Sequence, residues 1–303
     1  MNSFVSSVND KNGGHSWIPN LVIFLLGIEL LVTISLIVFF DNSGSASNLF
    51  YLASLGFLMC WTIYFSWHSL VKENGFEMTA FMSMAIIITA EGVFFALTHS
   101  LPSLLAYLSI GFYVLSLFAY IISCYCCYMH YGKTHLSELD DTMHYQMYGA
   151  VKDYDMFISV IKLIFVLYTI VASTFVFYMI ERSDALMYVG LGVSAGSYLV
   201  MVAHSLFGVY SVSRESRRGM IGYIVASPLL QVLLGGMIFE IYKAPGGHIY
   251  FVLLDQAVVI FVINLMLSAG NIYLGVRNLK KFGTGIKSII RQTNDDLFKA
   301  AFI

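Results

Sequence analysis

The sequence predicts an all-α, polytopic membrane protein with eight transmembrane helices, for which two four-helix halves are one interpretation. Of its 303 residues, 58% are hydrophobic and only 11% are charged, whereas soluble domains carry about 25% charged residues. So few charges cannot cover a surface that faces water, and lipid is therefore expected to be the main solvent. The four prolines are too few to interrupt long helices often.

Eight apolar runs are long enough to cross a bilayer, which takes about 20 residues per helix. Helices are expected because lipid offers backbone groups no other hydrogen-bonding partner, and because the runs lack the alternation of a β-barrel. The predicted spans are Trp17–Phe40, Asn48–Val71, Glu77–His99, Pro102–His130, Met156–Ile180, Ala185–Val212, Met220–Tyr242 and His248–Val276.

These spans divide the chain into five regions. The N-terminus has no basic start and no cleavage site, so the first run is predicted to stay as a membrane helix. The tail mixes basic and apolar residues, which predicts an interfacial helix on the membrane surface. The regions are 1–16 (cytoplasmic N-terminus), 17–130 (first four-helix half), 131–155 (cytoplasmic loop), 156–276 (second four-helix half) and 277–303 (basic cytoplasmic tail).

Basic residues predict the orientation, since cytoplasmic loops are enriched in Lys and Arg. An even number of spans places both termini on one side. If that side is cytoplasmic, the outside holds only Arg182 and Lys243. The thirteen basic residues inside are Lys11, Lys72, Lys133, Lys152, Arg214, Arg217, Arg218, Arg277, Lys280, Lys281, Lys287, Arg291 and Lys299.

A shift of 136 residues aligns parts of the two halves. The triplet HSL that begins at His68 then falls on the triplet HSL that begins at His204. A duplicated four-helix unit would explain the match and would place both histidines toward the cytoplasmic leaflet. The alternative is chance similarity between apolar helices, with each histidine lying near the lipid headgroups.

Three carboxyl groups fall at membrane depth, where charge is costly and functional residues are expected. Glu29 lies near the middle of the first span, Glu91 past the middle of the third, and Asp255 early in the last. Such carboxyls suit a path for protons or ions, because burial favours their neutral form or a cation partner. The alternative is a protonated carboxyl that joins neighbouring helices by hydrogen bonds.

Uncharged polar residues in the last span form a second candidate feature. Asn264, Ser268 and Asn271 share one helix face through their i, i+4, i+7 spacing. That face suits a water-lined path or, as the favoured interpretation, a seam of hydrogen bonds between helices. The predicted transport path consists of Glu29, Glu91, Asp255, His68, His204 and Asn264.

Three cysteines crowd one helix end, at Cys124, Cys126 and Cys127, close to His130 and His135. Neighbouring cysteines on a helix point in different directions, which is poor geometry for zinc or copper. Juxtamembrane cysteines are typical acylation sites. Acylation of these thiols, or no function, is therefore preferred over a metal.

No motif of a soluble enzyme occurs, whether a phosphate-binding loop, a dinucleotide-binding glycine pattern, a nucleophile elbow or a zinc-protease helix, so enzymatic activity is left open. The net charge of -2 gives no case for nucleic acid. No cofactor is specified by the sequence. Haem held by His68 and His204 would require both rings to face one cavity.

Two segments of the last two spans resemble microbial rhodopsins. SPLLQVLLGG at Ser227–Gly236 is similar to their proline-centred sixth helix, and FVLLDQAVV at Phe251–Val259 is similar to their retinal helix around its aspartate. A leading extra span with a cytoplasmic N-terminus resembles the eight-span enzyme-linked members. Val259 stands four residues after Asp255, where the family carries its retinal-binding lysine, so no covalent pigment is implied.

These features favour a channel or transporter that moves protons or small ions past intramembrane carboxylates. One alternative is a membrane receptor or sensor related to eight-span rhodopsins, which would bind a cytoplasmic partner through the loop 131–155 or the tail. Another is the membrane anchor of a redox complex that holds haem or quinone. The bilayer is the predicted partner in every case, and a homo-oligomer or a larger membrane complex is compatible with each.

Overall fold

The computed structural model describes four long stretches of the chain and several short ones, and it divides the chain into two compact units, residues 1–138 and 139–303. Throughout the described residues the backbone is helical apart from short turns, which agrees with the predicted all-α class. The described residues are 21, 24–28, 31–32, 56–57, 59–66, 68, 75–98, 107–108, 110–122, 124–125, 145–182, 185–243 and 248–283.

In the first unit, helix α1 spans Gly75–Thr98, close to the predicted third span. Phe81 on α1 is fully buried, and its ring meets the ring of Tyr120 edge-to-face with 5.4 Å between centroids. The described apolar stretches of this unit, Phe76–Ile87 and Ile110–Ile122, are shorter than a full membrane span. The first two predicted spans fall largely outside the described residues.

The second unit is a bundle of four long helices joined by short connections. Its helices are α2 (Tyr145–Arg182), α3 (Ala185–Ser213), α4 (Arg217–Tyr242) and α5 (His248–Lys281). Helix α2 packs against all three others, and α4 packs against both α3 and α5. Because the connections are short, consecutive helices run antiparallel.

Each of these four helices contains a segment long and apolar enough to cross a membrane, which indicates a membrane protein. Large apolar side chains such as Val225, Leu229 and Val232 are exposed on the outer face of α4. Such exposure suits lipid rather than water. The segments are Lys152–Met179, Tyr188–Ser213, Arg217–Tyr242 and Ala257–Lys281.

Helix α2 is the most enclosed of the four. Of its apolar segment 67% is buried, against at most 39% for the other three. Several of its hydroxyl groups donate hydrogen bonds to carbonyl oxygens one turn back on the same helix, so they need no partner from another helix. These bonds are Ser159 to Asp155, Thr169 to Phe165, and Ser173 and Thr174 to Ile170, all between 2.8 and 2.9 Å.

At one end of this bundle, two helices extend beyond the predicted membrane spans into the regions predicted as loop and tail. The predicted loop 131–155 was expected to end at Asp155, but α2 begins at Tyr145. The tail was expected to begin at Arg277, but α5 continues to Lys281. Hydropathy marks only the part of a helix that faces lipid, and these extensions are held by charges instead.

The charged residues that hold these extensions surround Asp153, which is 4% exposed. Its carboxylate accepts a hydrogen bond from Lys281 Nζ at 2.6 Å and forms an ion pair with Arg277 Nε at 3.1 Å. Lys281 Nζ also donates to the Gly149 carbonyl oxygen at 2.7 Å, and Asn278 Nδ2 donates to the Asp153 carbonyl oxygen at 3.2 Å. This ion cluster joins the start of α2 to the end of α5.

Two turns close the same end of the bundle. Between α3 and α4, Glu215 has a φ of 51°, and Ser216 caps α4 by accepting a hydrogen bond from Gly219 N at 3.2 Å. After α5, Gly283 has a φ of 97°, the left-handed conformation that commonly ends a helix. The Glu215 carboxylate accepts a hydrogen bond from Gly283 N at 3.2 Å, which links the two turns.

We expect Asp153→Asn to lower the stability of the protein. The change removes the charge that Lys281 and Arg277 share, and a hydrogen bond to a charged group contributes about 1.5–3 kcal/mol. Thermal unfolding of the detergent-solubilised protein, followed by circular dichroism, measures the loss. Glu240→Gln, at an exposed position on α4, is the matched control and should change stability by less than about 0.5 kcal/mol. Equal melting of both variants would contradict the role given to the ion cluster.

Candidate functional site

Polar side chains from three helices meet inside the second unit and form what we call the polar core. Buried polar groups in a membrane bundle need hydrogen-bond partners within it, because lipid supplies none. The polar core consists of His204 on α3, Tyr223, Ser227 and Gln231 on α4, and Asn264, Ser268 and Asn271 on α5.

The imidazole of His204 is held on two sides. Its ring stacks on the ring of Tyr223 with 4.3 Å between centroids and 10° between planes. Its Nε2 lies 3.1 Å from Ser227 Oγ. Ser227 Oγ also lies in position to donate to the Tyr223 carbonyl oxygen at 2.9 Å, and while it does so the contact with His204 requires a proton on Nε2.

The side chain of Tyr223 contacts each of the three other helices. Its ring meets the ring of Phe157 of α2 edge-to-face at 5.4 Å, and its phenol oxygen accepts a hydrogen bond from Asn271 Nδ2 of α5 at 2.6 Å. On the α3 side the ring lies against Gly208, where a Cβ atom would come within 2.5 Å of it. Tyr223 therefore contacts α2, α3 and α5 from its position on α4.

A second hydrogen-bonded group lies further along the bundle. Gln231 Nε2 donates to Asn264 Oδ1 at 3.4 Å, and Asn264 Nδ2 donates to the Ile164 carbonyl oxygen of α2 at 3.5 Å. Both bonds are long. Asn264 is fully buried, so its amide connects α4 to α2 in the bundle interior.

A small cavity lies between these groups. Its volume of about 10 Å³ is near the lower limit for one water molecule. Polar lining is supplied by His204, Ser205, Ser227, Gln231 and Ser268. Ser205 Oγ and Gln231 Oε1 have no hydrogen-bond partner among the described residues, so the cavity offers a water molecule two polar atoms to bind.

In the first unit, His68 is paired with a carboxylate. Its Nδ1 contacts Glu77 Oε2, and Glu77 is 1% exposed. The ring of Tyr64 lies 5.5 Å from the imidazole. The two histidines that the shift of 136 residues aligns thus have different partners, a carboxylate for His68 and a hydroxyl for His204.

Of the predicted path residues, His204 and Asn264 lie in the polar core, and His68 belongs to the first unit. Glu91 and Asp255 are on α1 and α5, with side chains outside the described part of the structure, and Glu29 is also outside the described residues.

Among the predicted acylation sites, Cys124 is buried, which leaves its thiol little access for an acyl group. Cys126 and Cys127 lie outside the described residues.

The most important residue of the polar core, Tyr223, was absent from the sequence prediction. Tyr223, Ser227 and Gln231 recur every four residues on α4, the spacing that puts side chains on one helix face. That periodicity was available in the sequence. The predicted third span begins at Glu77, and its contact with His68, nine positions earlier, is not indicated by hydropathy.

No protein-family model, curated protein or solved structure matches the chain. The site must therefore be interpreted from its own geometry.

Geometry gives no support for haem at His204. A cavity of about 10 Å³ is far too small for a porphyrin. In addition, the Nε2 atom that would bind iron is already hydrogen-bonded to Ser227.

We expect Gly208→Ala to disturb the polar core and lower stability. Its Cβ would overlap the Tyr223 ring, which cannot move without losing its stacking on His204, and overpacking of this kind costs about 1–3 kcal/mol. Gly196→Ala is the matched control, because a Cβ there meets no atom within 4 Å. Alanine should stabilise that helical position by about 0.5–1 kcal/mol. Thermal unfolding of both variants measures these changes in stability. A rise in melting temperature for Gly208→Ala would contradict the close packing of Gly208 against Tyr223.

Proposed function

We propose that the chain is a multi-pass membrane channel or transporter for protons or small ions, with the polar core as part of its path. The observation that carries the proposal is the hydrogen bond between His204 and Ser227 beside a cavity, inside a bundle with an apolar outer surface. Ionisable groups at membrane depth typically belong to ion pathways or proton relays.

The bond between His204 and Ser227 can exist in two forms, which is what a relay requires. In one form Nε2 donates to Ser227 Oγ, whose proton goes to the Tyr223 carbonyl oxygen. That carbonyl also accepts the usual helical N–H bond, so the hydroxyl is free to turn and donate to Nε2 instead. When a proton arrives at Nδ1, Nε2 could pass its own proton to Ser227 Oγ, and the hydroxyl proton of Ser227 would then have to leave for a water molecule in the adjoining cavity.

The cavity could hold the water molecule that receives the proton next. A water molecule there would lie near His204 and would satisfy Ser205 Oγ and Gln231 Oε1, which have no partner within the described residues. Buried waters typically make about three hydrogen bonds. Water bound at this point would extend the relay along α4 toward Gln231.

The remaining parts of the proposal concern the whole chain. We infer eight spans with both termini in the cytoplasm, on the basis of the long apolar runs and the bias of basic residues. We further propose that Glu29, Glu91 and Asp255 load and release protons at membrane depth, and that His68 lies toward the cytoplasmic side. A role as a redox anchor has less support because the polar core lacks room for a large cofactor.

Proton flux into proteoliposomes tests the function. The wild-type protein should dissipate a pH gradient, and His204→Phe should reduce the rate by at least about tenfold, since a positioned acid–base group contributes about 10²–10⁴ to proton transfer. Phenylalanine keeps a ring against Tyr223 while it removes both nitrogens. Glu29→Gln and Glu91→Gln should lower the rate as well.

The controls separate loss of function from loss of fold. Ser227→Ala should slow flux, whereas Tyr188→Phe, which removes a hydroxyl from an exposed position on α3, should leave it unchanged. Circular dichroism and size-exclusion chromatography verify the fold of each variant. Flux that is absent from the wild type, or unchanged in all the path variants, would remove the proposal.

The eight-span topology has its own test. Tags at the N- and C-termini should both be accessible from the cytoplasm in intact cells that express the protein, because an even number of spans returns the chain to its starting side. Protease protection of one tag but not the other would exclude an even span number.

A further inference from the structure

The turn between α3 and α4 carries three arginines, Arg214, Arg217 and Arg218, which we call the arginine turn. All three are exposed, and none forms an ion pair with another described residue. At the same end of the bundle, Arg277 and Lys281 pair with Asp153. The arginine turn therefore presents three guanidinium groups with no ion-pair partner among the described residues, whereas Arg277 and Lys281 share the carboxylate of Asp153.

The turn holds these arginines on a defined backbone. Arg214 N bonds to the Tyr210 carbonyl oxygen at 3.0 Å, and Ser216 N bonds to the Ser211 carbonyl oxygen at 2.9 Å. The acidic residue of the turn, Glu215, directs its carboxylate to Gly283 N. The Glu215 carboxylate is thus directed toward the end of α5, and with three arginines and one glutamate the turn keeps a net positive charge.

The position of the turn relative to the apolar helix faces indicates which anion it meets. Two candidate membrane segments meet the turn, at Ser213 and Arg217, so in a bilayer that these segments cross the arginines would lie near the lipid phosphates. Tyr210 and Ile221, one turn further into each segment, are exposed and would face acyl chains. The Arg214 guanidinium lies 5.9 Å from the centre of the Tyr210 ring, an arrangement that leaves its edge free to donate hydrogen bonds.

We propose that the arginine turn binds the phosphate of an anionic phospholipid headgroup. Guanidinium groups bind phosphate oxygens in pairs of hydrogen bonds, and basic clusters beside membrane helices attract acidic lipids. A lipid fits better than a soluble phosphate because its chains would cover the exposed apolar residues next to the turn. This binding does not depend on the proposed transport activity.

Native mass spectrometry of the full-length chain in detergent, titrated with phosphatidylglycerol or phosphatidylcholine, tests the proposal. The wild type should bind phosphatidylglycerol more tightly. The double variant Arg217→Gln/Arg218→Gln should weaken that binding by about fivefold for each arginine removed and should leave phosphatidylcholine binding unchanged.

Lys152→Gln/Lys280→Gln is the control, because it removes two exposed cations from the same end of the bundle but outside the turn. It should retain the preference for phosphatidylglycerol. If the arginine double variant does not fold, Arg214→Gln alone should weaken binding about fivefold. Three results would overturn the proposal: no lipid preference in the wild type, equal loss in the lysine control, or displacement of phosphatidylglycerol by millimolar inorganic phosphate.

Discussion

The second unit depends on the placement of one aromatic ring, that of Tyr223. The ring stacks on His204, meets Phe157 edge-to-face and binds Asn271 through its hydroxyl. Helices in lipid gain little from the hydrophobic effect when they associate, so close packing and hydrogen bonds between them decide the arrangement. Gly208 provides the close approach that the stacking requires. All four helices are therefore fixed at one level of the bundle.

Two different kinds of polar contact hold this bundle, and α5 contributes to both. Asn264, Ser268 and Asn271 face the polar core, while Asn278 reaches the ion cluster of Asp153. The hydrogen-bond seam and the water-lined path, which the sequence left as alternatives, are compatible in this arrangement. Asn271 Nδ2 bonds to Tyr223, yet Asn271 Oδ1 and Gln231 Oε1 have no partner within the described residues. The same side chains thus join helices and leave polar atoms for water.

Hydropathy predicted the four apolar helices of the second unit, because a lipid-facing helix is built from a long run of apolar residues. The predicted span Ala185–Val212 and α3 differ by one residue. The spacing of Asn264, Ser268 and Asn271 likewise predicted a shared face. The early start of α2 escaped prediction because it depends on Asp153 and Lys281, which are 128 positions apart. The spacing of Tyr223, Ser227 and Gln231 indicates a shared face on α4, but the contacts of Tyr223 with Phe157, His204 and Asn271 depend on residues far away in the sequence and could not be predicted from it.

The hydroxyl groups of α2 that bond to the backbone of their own helix have a consequence for membrane insertion. Helix α2 leaves the ribosome before the three helices that later enclose it, so for a time its Ser and Thr side chains meet acyl chains alone. Because Ser159, Thr169 and Thr174 each bond to their own backbone, the helix can enter the bilayer without waiting for a neighbour. Membrane insertion and bundle assembly can then proceed as separate steps, with the central helix in place first.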